Sequence, residues 1–146
     1  MKIILDTNYI TAILDERDVW HKKALIIKER LSNTNNELLF FDCVINEVVN
    51  VFIKRLKERK QIHDLVDLID KLQVFAPRYN ITWIYPEIED YYDRVIETVK
   101  ESNGTLNFHD ALIVHVANEL GIPCIVSFDR GFDKTGLKRI KDAGDV

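Results

Sequence analysis

Glycine and proline are scarce, with five and three among 146 residues. That scarcity excludes collagen-like and low-complexity chains and argues against disorder. No apolar run approaches the roughly 20 residues that cross a membrane. The opening segment MKIILDTN meets a charge at Asp6, too early for the apolar stretch of a secretion signal. Only two cysteines are present, Cys43 and Cys124, in apolar surroundings and without a C-x-x-C. A disulfide scaffold is thereby excluded, and both read as buried thiols of a reducing, cytoplasmic compartment. Zinc ligands are missing at useful spacing, since His109 and His115 fall on different faces of one helix. Positive charge is not in excess either. A net charge of −4 argues against a general nucleic-acid coat protein, though not against a local basic patch. Neither internal repeats nor biased segments occur.

What is present is an ordinary globular composition, 47% apolar and 30% charged, long enough for one domain over residues 1–146 with a sizeable core. Apolar runs at 2–6, 38–42, 81–86 and 123–129 read as strands. Helical periodicity marks 8–15, 19–32, 42–60, 63–73, 86–100 and 108–120. Asp42 is expected to cap the third helix, Pro86 to open the fifth, and Asn107 to cap the last, which stops at Gly121 and Pro123. A loop with Gly131 and Gly136 follows. Strands separated by helices imply an α/β fold with a parallel central sheet and helices on both faces.

Four acids stand where one element gives way to the next: Asp6, Glu47, Asp110 and Asp129. Asp6 and Asp129 end strand-like runs, and Glu47 and Asp110 lie near helix starts. Ligands of an open α/β sheet bind outside the carboxyl ends of its strands, the edge where helices also begin. Each acid has a plain alternative: a helix cap for Asp6, a capping-box acid for Asp110, a turn residue for Asp129. Glu47 sits among Val44, Val48 and Val51 and faces inward if they do, which makes a plain surface glutamate the less comfortable alternative. Together, without matching bases, they ask for a hard cation. Two carboxylates about 4 Å apart repel by roughly 4 kcal/mol at an effective dielectric near 20. An all-oxygen set suits Mg²⁺ or Mn²⁺, and such sites activate water against phosphodiesters. A haloacid-dehalogenase-like phosphatase would need D-x-D after the first strand, where this chain has Asp6-Thr7-Asn8.

The stretches IILDTNYI, CVINEVVNVF, LNFHDALIVHVANELGIPCIVSFDRGF and GLKRI resemble, in order and spacing, the PIN-domain nucleases, and within them the VapC-like toxins of toxin–antitoxin pairs. The resemblance implies a three-layer α/β/α fold and Mg²⁺- or Mn²⁺-dependent cleavage of single-stranded RNA. It places Asp6, Glu47, Asp110 and Asp129 as catalytic metal ligands, with Thr7, Asn8 and Ser127 in support. Asp133 becomes an accessory acid, with a surface role as the alternative, and His109 is a neighbour that reaches phosphate or is simply exposed. It also implies an antitoxin partner and leaves room for a homodimer. A non-toxin PIN nuclease in RNA processing and a non-catalytic PIN-like binding module are the alternatives.

For RNA contact, Arg130 and Lys134 lead a basic group with Lys138, Arg139 and Lys141 beside Asp129. Lys54, Arg55, Lys57, Arg59 and Lys60 form a second group, which equally suits a solvated helix end. Trp20, Trp83, Tyr91 and Tyr92 either stack bases or pack in the core. Residues 9–13 and 44–56 are expected to wall an antitoxin groove, with core packing as the other reading of Tyr9, Ile13 and Phe52.

Overall fold

A computed structural model describes residues 1–146. The strands are β1 (Lys2–Leu5), β2 (Glu37–Phe41), β3 (Ile81–Thr82), β4 (Cys124–Val126) and β5 (Lys138–Ile140). The helices are α1 (Thr7–Leu14), α2 (His21–Ser32), α3 (Asp42–Glu58), α4 (Leu65–Phe75), α5 (Ile88–Glu101) and α6 (Phe108–Glu119). All four strand pairings are parallel, in the order β3-β2-β1-β4-β5. β1 and β4 are central and buried on both faces, so their unbroken apolar runs Ile3-Ile4-Leu5 and Cys124-Ile125-Val126 are what a covered parallel strand requires.

The order of the strands fixes where a site can form. The chain moves outward from β1 to β2 to β3, then returns past β1 to β4 and β5. Right-handed crossovers running in opposite directions put helices on opposite faces. Accordingly α1 packs with α2, α3 and α4, while α5 packs with α6. The connections leaving β1 and β4 diverge, which opens a crevice between the carboxyl ends of these two strands. The backbone N–H of Asp6 donates to the Val126 carbonyl at 3.1 Å, so pairing runs to the lip of that crevice.

Several expected elements differ in detail. Only Ile81 and Thr82 of the run at 81–86 pair with β2. The amides of Ile84 and Tyr85 turn instead to Asp42 Oδ2, at 3.0 and 2.9 Å. Asp42, buried inside the first turn of α3, therefore ties that helix to the end of β3 instead of serving as a simple cap. Pro86 opens a single 3-10 turn, Tyr85–Glu87, ahead of α5. β5 carries Lys138 and Arg139, so no apolar run announces it, and such charges are normal on an edge strand. The expected wall at 9–13 is core: Tyr9, Ile13 and Phe52 are all buried, because α1 is enclosed by α2, α3 and α4. Cys43 and Cys124 are free and buried.

Candidate active site

β1 ends at Leu5, and Asp6 follows in extended conformation as the N-cap of α1. Its side chain is buried and takes three donors. Oδ1 accepts from the Thr7 amide at 2.7 Å, and Oδ2 from Asn8 Nδ2 at 2.7 Å and Ser127 Oγ at 2.5 Å. Ser127 follows β4 across the crevice and is fully buried. Its hydroxyl also accepts from Asn8 Nδ2 at 3.2 Å and from the Asp129 amide at 2.9 Å. Asn8 Oδ1 takes the Phe128 amide at 2.9 Å. The loops after the two central strands are thus stitched together by Asp6, Asn8 and Ser127.

Thr7 Oγ1 donates to Glu47 Oε2 at 3.1 Å, which brings the second turn of α3 to the same place. Asp110 arrives from α6 through the expected capping box. Asn107 Oδ1 takes the Asp110 amide, and Asp110 Oδ2 takes the Asn107 amide, both at 2.9 Å. The cap engages one carboxylate oxygen and leaves the other available. Asp129 Oδ1 accepts from the Gly131 amide at 2.7 Å. A side chain at Gly131 would meet the Thr105 carbonyl at 2.8 Å and Asp129 Oδ1 at 3.2 Å. Sequence reasoning took Gly131 for a loop residue, but it is the close approach that seats Asp129.

Electrostatics show how closely these acids share space. The Asp6 carboxyl is raised to about 7, chiefly by burial, with the charges of Asp110 and Glu47 acting in the same direction. The hydrogen bonds from Ser127 and Thr7 oppose this without prevailing. Asp110 is raised to about 6, first by burial and then by Asp129 and Glu47, against the Asn107 amide. Each of the four acids is therefore a charged neighbour of at least one other. No three His, Cys, Asp or Glu side chains are gathered tightly enough, as arranged, to hold one ion as a closed cage. The donor set still fits a hard divalent ion. Mg²⁺ is commonly bound through one or two carboxylates and several waters, and a cation would offset both the burial and the like charges that disfavour ionised Asp6 and Asp110.

The remaining candidates divide. Asp133 is exposed and gripped by Arg139, with Nε to Oδ1 at 2.6 Å and Nη2 to Oδ2 at 2.9 Å; its charged neighbours are Arg139, Lys141 and Arg130. Arg139 also donates to the Ser127 carbonyl at 3.3 Å. Arg130 is exposed just past Asp129, whereas Lys134 lines a separate cleft of about 350 Å³ with Glu101 and Thr105. His109 is half-buried, with Nε2 3.4 Å from the Tyr85 hydroxyl. The basic run on α3 is partly neutralised: Arg55 pairs with Asp18 at 2.6 Å and Arg59 with buried Asp15 at 2.8 Å. Arg17 also holds Asp15, at 3.2 Å. Tyr91 is core, and Trp20, Trp83 and Tyr92 are exposed.

The acids lie at the switch point of a doubly wound parallel sheet, the place where folds of this class bind their ligands. The sequence profile of the PIN domain matches residues 3–138, and the chain belongs to that family. PIN domains are generally nucleases that act on nucleic acids, typically with divalent metals. No individual curated sequence matches the chain significantly. No helix is long and apolar enough to cross a membrane.

Proposed function

We propose that the protein is a Mg²⁺- or Mn²⁺-dependent endoribonuclease that hydrolyses phosphodiester bonds of single-stranded RNA, and that it is the toxin of a toxin–antitoxin pair. The observation that carries the nuclease reading is the gathering of Asp6, Glu47, Asp110 and Asp129 at one crevice, where burial first and their mutual charge second raise Asp6 to about 7 and Asp110 to about 6. Such repulsion is costly without a cation and favourable with one. Asp6, Glu47, Asp110 and Asp129 would hold the ion, which when bound supplies Lewis-acid charge and a water of lowered pKa.

The chain's own residues orient that set. Ser127 and Asn8 fix Asp6, Thr7 fixes Glu47, the Asn107 amide fixes Asp110 and the Gly131 amide fixes Asp129. Supporting residues of this kind hold ligands in productive geometry and exclude other orientations. Arg130 is the nearest exposed base in sequence and would meet a phosphate flanking the cleaved bond. Lys134 has the weaker claim, since it faces the α5–α6 side.

The toxin role rests on the resemblance of IILDTNYI and LNFHDALIVHVANELGIPCIVSFDRGF to VapC-like chains. An antitoxin that placed Arg or Lys among the carboxylates would replace the metal's charge and compete with it. The buried face of α1 leaves its docking to other surfaces. One candidate is the cleft of about 580 Å³ between α2 and α4, lined by Leu14, Val74 and Phe75 with Lys28 and Lys71 beside Asp67 and Asp70.

The test offers purified protein labelled single-stranded RNA, duplex RNA and single-stranded DNA, each with and without Mn²⁺, and pairs this with induced expression in a bacterial host. Metal-dependent cleavage of single-stranded RNA with growth arrest is expected. Cleavage without growth arrest would move the protein to RNA processing. Binding without cleavage in any metal would leave a binding module.

A further inference from the structure

Trp20 precedes α2 and is 44% exposed, yet its ring is stacked on Phe128 with centroids 5.1 Å apart and planes 18° from parallel. Phe128 sits between Ser127 and Asp129, with its amide held by Asn8 Oδ1 at 2.9 Å. The aromatic pair is therefore continuous with the carboxylate crevice through the backbone that carries two of its residues. Lys23 Nζ lies 5.5 Å from the Trp20 centroid and 5.9 Å from that of Phe128. Being nearly equidistant from two rings 5.1 Å apart, it stands beside the stack and does not cap it. Lys23 thus leaves the outer face of the indole uncovered and stands at its edge, and the residue is 44% exposed.

The arrangement is held in advance. The Trp20 amide donates to Asp18 Oδ1 at 2.8 Å, and Asp18 is fixed by Arg55 at 2.6 Å. Lys23 is held by Asp142 at 2.7 Å. With its backbone tethered to Asp18 and its ring resting on Phe128, Trp20 loses less freedom on binding a flat partner than a free surface aromatic would. Packing against Phe128 explains one indole face and leaves the other unexplained.

We propose that Trp20, backed by Phe128 and flanked by Lys23, is a positioning platform on which one base of single-stranded RNA stacks beside the carboxylate crevice. The proposal rests on the nuclease reading for its choice of ligand. Bases offer a free π face only when unpaired, and every base has one, so the platform selects single strands without reading sequence. Lys23 meets the adjoining phosphate as a point charge.

The test uses the full chain in EDTA, so that binding is read without cleavage, and a short single-stranded oligoadenylate. The chain has two tryptophans, so Trp83→Phe leaves Trp20 as the only indole fluorophore. Oligoadenylate is expected to quench it, whereas polyphosphate, which carries charge without bases, is not. Trp20→Leu keeps bulk against Phe128 but has no π face, and should weaken binding by about 5- to 150-fold, the range of one lost base stack. Trp20→Phe should recover most of it. With Mn²⁺ present, Trp20→Leu should raise KM by the same factor and leave kcat within about twofold. Equal binding by wild type and Trp20→Leu, quenching by polyphosphate alone, or no binding at all would overturn the platform. Platform-dependent binding without cleavage in any divalent metal would overturn the nuclease reading and leave the platform standing.

Discussion

Asp110→Asn separates the electrostatic account from a purely structural one. The amide keeps an oxygen for the Asn107 N–H, so the capping box survives. What disappears is a charge that burial, Asp129 and Glu47 all disfavour, with the carboxyl raised from 3.8 to about 6. A raised acid is protonated in the folded protein while the unfolded chain has already ionised. Its stability contribution therefore falls as pH rises from about 4 to about 6 and is flat above. In metal-free protein the substitution should be nearly neutral below pH 4. It should stabilise increasingly up to pH 6 and by up to about 3 kcal/mol at pH 8. For a domain of this size that is a rise of roughly 6–12 °C in melting temperature. Thermal melts of wild type and variant in EDTA from pH 4 to 8 measure it. With millimolar Mn²⁺ the gap should shrink, because the ion adds more to the wild type than to a variant short of one ligand. A variant destabilised equally at pH 4 and pH 8 would show that Asp110 is chiefly a cap and that the crowding argument is wrong.

Other expectations follow from the same geometry. Mg²⁺ or Mn²⁺ at 100 times its dissociation constant should add roughly 2.7 kcal/mol. The melting shift should be larger at pH 7.5 than at pH 5.5, because Asp6 and Asp110 must lose protons to bind, and calorimetry in two buffers should detect their release. Ser127→Ala leaves Asp6 and the Asp129 amide short of a partner; it should cost about 1–3 kcal/mol by melting and weaken the metal-induced shift. Gly131→Ala forces a methyl against the Thr105 carbonyl, so cleavage should fall at least about tenfold in kcat with the melting temperature changed by only a few degrees. Asp15→Asn breaks the pairs to Arg59 and Arg17 and should lower stability without changing the metal-induced shift, which a melt with and without Mn²⁺ reads directly.

The central elements were legible because they obey local rules. KIIL and CIV are covered parallel strands and can only be continuous apolar runs. Asn107-x-x-Asp110 is a capping box in sequence and in structure. The convergence of Asp6, Glu47, Asp110 and Asp129 was readable because a parallel sheet with one reversal of strand order has a single edge where they can meet. The elements that escaped depend on long-range partners. β5 pairs with β4 despite two charges in three residues, which no periodicity reveals. The strand at 81–86 stops early because Asp42, about 40 positions upstream, takes the amides that a ladder would have used. Asp133 was expected, from the resemblance, either as an accessory acid or as a surface residue, and its bidentate partner Arg139 comes from β5, the strand that was missed. The buried Asp15 with Arg17 and Arg59 was likewise invisible, since nothing local distinguishes those arginines from a solvated helix end.

The most direct test of the central claim is a Mn²⁺ titration of RNA cleavage after complete chelation, with wild type and Asp110→Asn measured side by side on an end-labelled single-stranded RNA at pH 7.5. The account predicts no cleavage in chelator and saturable recovery with Mn²⁺ for the wild type. For Asp110→Asn, folded and at least as stable in metal-free buffer, it predicts a loss of about a hundredfold or more. Cleavage that persists in chelator, or an Asp110→Asn protein that retains wild-type metal-dependent activity, would contradict it.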